Sequence, residues 1–266
     1  MADSIDMTPG APEEAPSKKF EPQARTTNWS RRIAMGLAAV IGTIVVLLAV
    51  AYLWLDSTSG RRFVAKQIAG MEFENGLSIG IGAIEGSLYG KMQVRGLTLR
   101  DPQGVFASSP LVEVDWRPFA FLSSHVDIRS LVVPQMRVRR LPVFNETPPT
   151  NEPLLPDLDI DIANLQLRRI DIDPAVTGQR HRASLAGKVH IADRVAVVSA
   201  RGGAKAGPGF AGGETLVIDL RAIPETNTLD VALNLNAPAQ GLIAGLTGVA
   251  QPMRVNLGGK GDWDAW

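Results

Sequence analysis

The stretch MQVRGLTLRD, Met92 to Asp101, decides how this chain folds. Met92 and Val94 alternate with Gln93 and Arg95, and Leu97 and Leu99 alternate with Thr98 and Arg100. A period of two marks a half-buried β-strand. Gly96 interrupts the alternation by one residue, as a bulge does. The same period recurs on both sides of this stretch. Upstream, Leu77, Ile79 and Ile81 alternate with Ser78, Gly80 and Gly82. Downstream, Val112, Val114 and Trp116 alternate with Glu113, Asp115 and Arg117; Val126 and Ile128 with Asp127 and Arg129; Met136 and Val138 with Arg137 and Arg139.

A proline-rich break follows, with Pro142, Pro148, Pro149, Pro153 and Pro156. It reads as an extended loop or linker. Beyond it the pattern resumes: Leu158, Ile160 and Ile162 alternate with acids, and QLRRIDID, ASLAGKVHIA, RVAVVSAR, ETLVIDLRA, TLDVALNLNA and MRVNLGG read as further strands. GLIAGLTGVA, residues 241–250, is the apolar stretch here that fits a short helix. The expected fold is mainly β, a long curved antiparallel sheet. Such a sheet has one dry face, and something must cover it. A second sheet or barrel closure would do so; a curved open sheet leaves an apolar trough instead. The residues expected to line it are Ile79, Ile81, Val94, Leu97, Leu99, Val112, Val114, Val126, Ile128, Ile160, Ile162, Leu216, Ile218, Val231, Leu233 and Val255.

The N-terminal part has a different character. Residues 1–32 are charged, proline-bearing and poor in large aliphatics, which predicts a disordered tail. Ile33 to Leu55 carries no charge. As a helix this run reaches about 34 Å, enough to cross a ~30 Å hydrocarbon core. Trp29 stands at one end and Tyr52 and Trp54 at the other, where interfacial aromatics belong. The one A-x-A, Ala49-Val50-Ala51, lies inside the run, which favours an uncleaved anchor over a signal peptide. Lys18, Lys19, Arg25, Arg31 and Arg32 precede it, against Arg61, Arg62 and Lys66 after it, placing the N-terminus in the cytoplasm. Residues 56–74 then predict a short membrane-proximal amphipathic helix, with Phe63, Val64 and Ile68 on one side and a stop at Gly70. The expected segments are therefore 1–32 tail, 33–55 transmembrane helix, 56–74 helix, 75–141 first β segment, 142–156 linker and 157–266 second β segment.

Chemistry finds few candidates. Gly76-Leu77-Ser78-Ile79-Gly80 matches a nucleophile elbow, but an elbow needs a strand before it and a helix after it. A hydrolase with Ser78 as nucleophile is kept only as a third hypothesis. Gly80-Ile81-Gly82 fails as a dinucleotide fingerprint because Glu85 occupies the third glycine position. Asp157, Asp159 and Asp161 resemble the start of a calcium loop, but Ile162 and Arg168 stand where glycine and glutamate belong. His125, His181 and His190 lack metal spacing and read as isolated polar strand positions. The chain has 266 residues, zero formal net charge and no cysteine. These exclude thiolate chemistry and disulfides and argue against a nucleic-acid binder. Aromatics are 6% against 45% apolar residues, so the apolar content is aliphatic. No catalytic, cofactor or metal site is expected.

The run IEGSLYGKMQVRGLTLRDPQG, residues 84–104, followed by VEVDWRPFAFL and HVDIRSLVVPQMRVRRLP, resembles the N-terminal repeat of the translocation and assembly module subunit TamB family. That family belongs to the wider AsmA-like, bridge-like lipid transfer group. The proline-rich break, LPDLDIDIANLQLRRIDI and the distal LDVALNLNAPAQGLIAGLTG and GKGDWDAW are similar too. The resemblance spans Ile33 to Trp266. It implies a Gram-negative inner-membrane anchor with the bulk of the chain in the periplasm, and a sheet bent into a taco-like apolar groove. It also implies phospholipid as cargo toward the outer membrane. The alternative role is outer-membrane protein assembly or secretion with a TamA-like barrel partner, contacted through a C-terminal region outside this sequence. Family members are much longer, so the resemblance implies an N-terminal fragment.

Overall fold

The computed structural model describes residues 29–145 and 158–262, with side chains from residue 41 onward. The expected tail lies outside these residues up to 28, and the expected linker from 146; the side chain of Trp29 and residues 263–266 lie outside as well. The chain divides into two compact units, residues 1–49 and 50–266. In the first, residues from Trp29 are helical and belong to α1 (Trp29–Leu55). Among the described residues no single helix is long and apolar enough to cross a membrane. A crossing by Ile33–Leu55 is taken up below as a proposal.

The second unit holds the last turns of α1, α2 (Thr58–Ala69) and one eleven-stranded sheet. The strands are β1 (Ser78–Gly80), β2 (Ala83–Gly86), β3 (Lys91–Asp101), β4 (Gly104–Arg117) and β5 (His125–Val138). They continue as β6 (Asp159–Ile172), β7 (His181–Ala192), β8 (Val195–Ala204), β9 (Thr215–Ile223), β10 (Thr228–Ala237) and β11 (Met253–Asp262). Two short helices, α3 (Pro174–Thr177) and α4 (Leu242–Thr247), lie in connections. Neighbours in the sheet follow the chain from β3 to β11; β1 and β2 both pair with β3. The sheet is open and curved.

One pairing departs from the expected antiparallel sheet. β5 and β6 run parallel, with Val126 opposite Ile160, Leu131 opposite Leu165 and Met136 opposite Ile170. Parallel neighbours need a crossover of a dozen or more residues rather than a hairpin. Residues 139–158, which contain the proline-rich break, supply that length. The strands on either side of the break therefore form one continuous sheet.

α2 begins at Ser57, whose hydroxyl accepts from the Gly60 N–H at 3.2 Å, and stops at Gly70. Its packing side differs from the expected one. Ala65 is buried with Val64 beside it, against Ile84 and Leu88, whereas Phe63 is 53% exposed. The small Ala65 lets the helix approach β1 and β2 closely, and the bulky Phe63 is turned away. Gly96 stands where the β3–β4 ladder skips between Arg95–Leu111 and Leu97–Ser109. Its φ of +64° suits glycine and lets Val94 and Leu97, three residues apart, enter the same apolar cluster.

Candidate functional site

Directly paired strand residues share a face of the sheet. The registers therefore line up aliphatic side chains in rows that run across the strands. One row passes through Trp116, Ile128, Ile162, Val189, Val198, Leu220 and Val231. The next passes through Met92, Val114, Leu131, Leu165, Gly187, Ala200, Ile218, Leu233 and Leu257. A third links Val133, Leu167, Leu185, Gly202, Leu216, Leu235 and Val255. Val126, Ile160 and Ile191 form the start of a row at one rim, and Ile79, Leu99, Ala107 and Val138 one at the other. Val94 pairs with Val112 and joins a cluster with Val133 and Leu97. Ile81, between β1 and β2, packs against both apolar clusters. The sixteen residues singled out in the sequence thus fall on this one face.

All the described strands belong to a single sheet, so no second sheet lies over the face among the described residues. Even so, several side chains on it are well shielded: Val94, Val112, Val133 and Val231 keep 5–8% of their surface. Neighbouring aliphatics and the bend of the sheet provide that cover. Toward the β11 edge the shielding fails, and Val255 and Leu257 are 37 and 43% exposed. β11 has only β10 beside it among the described residues.

The first end of the face is closed by α2. Asp56, just before it, accepts from the Ser87 hydroxyl at 3.0 Å and the Leu88 N–H at 2.8 Å. Arg61 donates to the Gly86 carbonyl at 2.9 Å, and Trp116 Nε1 to the Leu88 carbonyl at 3.0 Å. Gly86 adopts φ +87°, and a Cβ there would meet the Lys91 carbonyl at 2.7 Å, so this turn requires glycine. A cleft of about 510 Å³ opens between α2 and the first strands. Arg61, Arg62, Lys66 and Glu85 contribute its charges, and Ala65, Ile81 and Ile84 its apolar wall. Glu85 is already paired with Arg95 at 2.7 Å, so the cleft is net cationic. A larger cavity of about 590 Å³ is lined by Glu85, Lys91, Gln93, Glu113 and Asp115; it is a polar crevice and does not follow the aliphatic rows.

The polar face carries ion pairs that stitch neighbouring strands: Arg117 to Asp127 at 2.8 Å, Arg182 to Asp171 at 2.9 Å, Arg137 to Asp173 at 3.0 Å. The histidines are less isolated than their spacing suggests. His125 Nε2 and His190 Nδ1 both reach Asp161, at 2.8 and 2.5 Å. Burial pushes the Asp161 carboxyl up, but the bonds from His190 and His125 outweigh it and hold it below its usual range. The pairing of His190 with Asp161 across β6 and β7 is a register relationship that a single strand pattern does not reveal. His181 is buried between the Thr177 hydroxyl at 2.7 Å and the Ala211 carbonyl at 2.9 Å. No group of three or more His, Cys, Asp or Glu among the described residues is placed to hold a metal ion. Ser78 opens β1 after α2, opposite Arg100, which is not the setting of a nucleophile elbow.

No family model, curated protein or solved structure matches the chain.

Proposed function

We propose that this chain conducts phospholipid. In this reading Ile33–Leu55 anchors it in the inner membrane, with the N-terminus cytoplasmic and the sheet in the periplasm. Acyl chains lie along the aliphatic rows and pass toward the outer membrane. The observation that carries the proposal is the continuity of those rows from β3 to β11 on a face that no second sheet covers among the described residues. Each methylene moved from water to such a surface gains about 0.8 kcal/mol. A two-chain lipid therefore favours the rows without any specific polar contact, and the rows offer nearly equivalent sites from strand to strand. Passage along them breaks no bond and needs no cofactor. The resemblance to the TamB and AsmA-like group supports the same reading.

Photo-crosslinking side chains at Val114, Ile160 and Leu233 test it. Capture of phospholipid at all three is the expected result. Capture of protein alone at these positions overturns it.

A second reading is a scaffold for outer-membrane protein assembly, with a TamA-like barrel as partner. The unpaired edge of β11 favours it, because an open edge ten residues long can accept a client strand by β-augmentation. Crosslinks from the outer edge of β11 would then go to unfolded barrel proteins.

A further inference from the structure

The turn between β4 and β5 exposes more apolar side chain than the other turns of the sheet. Pro118–Ser123 reads PFAFLS and forms one 3₁₀ turn. Phe119, Phe121 and Leu122 are 61, 59 and 87% exposed. The turns at 102–103, 193–194 and 224–226 carry Gln, Asp, Arg, Glu and Thr instead. Leaving two phenylalanines and a leucine in water is costly, and clustered exposure of this kind marks an interaction surface.

The turn is held in a defined place. The Phe119 ring lies parallel to that of Tyr89, with centroids 6.1 Å apart. Tyr89 stacks on Tyr52 at 3.9 Å, and its hydroxyl donates to the Tyr52 carbonyl at 2.8 Å. Tyr52 lies in the last turns of the uncharged run, where Leu53 and Trp54 are also exposed. Trp54 packs against the exposed Phe63 of α2, with centroids 5.8 Å apart. Arg62 and Lys66 flank Phe63 and are exposed too.

These are the components of a membrane interface. Tyr and Trp, with an apolar body and a polar tip, prefer the headgroup level. Arginine and lysine are drawn to anionic lipid phosphates. Exposed Phe and Leu bury into the acyl boundary below. A protein-binding patch would instead be poor in charge at its centre.

We infer that Pro118–Ser123 is a membrane-seating knob: Phe119, Phe121 and Leu122 enter the interfacial layer of the bilayer that receives the uncharged run ending at Leu55. The inference rests on the reading of that run as an anchor. It adds a second point of attachment, on the sheet itself. The rim where β4 ends and β5 begins is thereby held at the lipid surface, and the aliphatic rows start within reach of acyl chains.

The absence of cysteine makes the test clean. The full chain is reconstituted in vesicles of phosphatidylethanolamine and phosphatidylglycerol, with one cysteine at a time from Leu122→Cys, Gln103→Cys or Leu47→Cys. Each carries an environment-sensitive fluorophore. Gln103 is the control on the sheet, since it precedes β4 while the knob follows it. A nitroxide on the lipid should quench the Leu122 label several-fold more than the Gln103 label. If Leu47 is quenched but Leu122 no more than Gln103, the knob is refuted while the anchor stands. If Leu47 is not quenched either, both readings fall. A Leu122 label shielded from both the lipid nitroxide and aqueous iodide places protein there, which also overturns the inference. Adding Phe121→Glu to the Leu122 variant should bring its quenching down toward the Gln103 level.

Discussion

Arg140 grips both carboxylate oxygens of Asp101, at 2.6 and 2.5 Å, and the Asp101 side chain is fully buried. Asp101 also accepts from the Val143 N–H at 2.6 Å and the Gln103 N–H at 2.8 Å. One carboxylate thus closes the β3–β4 turn and pins the segment leaving β5, where the crossover to β6 begins. The Arg140 hydrogen bonds hold its carboxyl well below the usual carboxylate range, with burial opposing and the two backbone N–H groups assisting. A lowered folded-state pKa contributes stability that is present above the unfolded value, near 3.9, and is lost as pH falls toward the folded one. Denaturation midpoints should therefore drop as pH is taken below about 4. Asp101→Asn should be less stable at neutral pH and should show a shallower decline in acid. An unchanged acid slope in that variant would assign the decline to other carboxylates.

Gly96 makes a different kind of contribution. Its φ of +64° belongs to the left-handed region, where an L side chain costs about 1–2 kcal/mol. Gly96→Ala should lower unfolding free energy by that amount. Gly90→Ala is the control, because a Cβ there meets nothing within 4 Å and φ is not positive. Equal effects from the two would show that the backbone at Gly96 is not special.

The alternation of MQVRGLTLRD and its counterparts carries the rows legibly, because a period of two assigns every side chain to a face. The direction of pairing is not contained in it, and the parallel match of β5 to β6 was missed for that reason. A signal was nonetheless there. HVDIRSLVVPQMRV and DIDIANLQLRRIDI break their alternation at the same places, so Ile128 is followed by Leu131 and Ile162 by Leu165. Two strands with identical irregularities stay in phase only when they run the same way. The side chain of Ser130 accepts a bond from Asn164 at 2.9 Å across that shared irregularity. The His125–Asp161–His190 group was hidden because it joins three strands. The exposed Phe63 was misjudged because helical spacing places side chains on a stripe without saying which stripe meets the sheet.

The docking of α2 depends on few side chains. Ile84 keeps 7% of its surface and packs with Ala65 and Leu88. Ile84→Ala removes its buried side chain beyond Cβ and should cost about 2–5 kcal/mol. Amide exchange should show faster opening of α2 than of β7 to β10. Uniform acceleration across the sheet would mean that α2 and the sheet open as one unit.

The cationic cleft beside α2 offers a place for lipid phosphate at the start of the rows. Arg62 and Lys66 are exposed, and a double charge reversal, Arg62→Glu with Lys66→Glu, leaves Ala65 and the buried side untouched. Thermal stability should stay within a few degrees, since surface substitutions of this kind change stability by about 0.5 kcal/mol or less. Phospholipid recovered by a crosslinker at Val114 should fall several-fold. Recovery at the wild-type level would remove the cleft from the path.

Leu233 tests the path itself. It pairs with Ile218 on one side and Leu257 on the other, so all three share the aliphatic face, whereas Asn234 points to the opposite one beside Val217. Leu233→Asp places a carboxylate in the middle of a row, where an acyl chain cannot solvate it and must leave the surface to pass. Asn234→Asp adds the same charge to the polar face. With both proteins produced at wild-type levels, lipid captured beyond β10, at Val255, should be lost in the first variant and kept in the second. Equal loss in both would mean that charge alone, and not its face, disturbs the chain. No loss in either would mean that lipid does not travel along the rows.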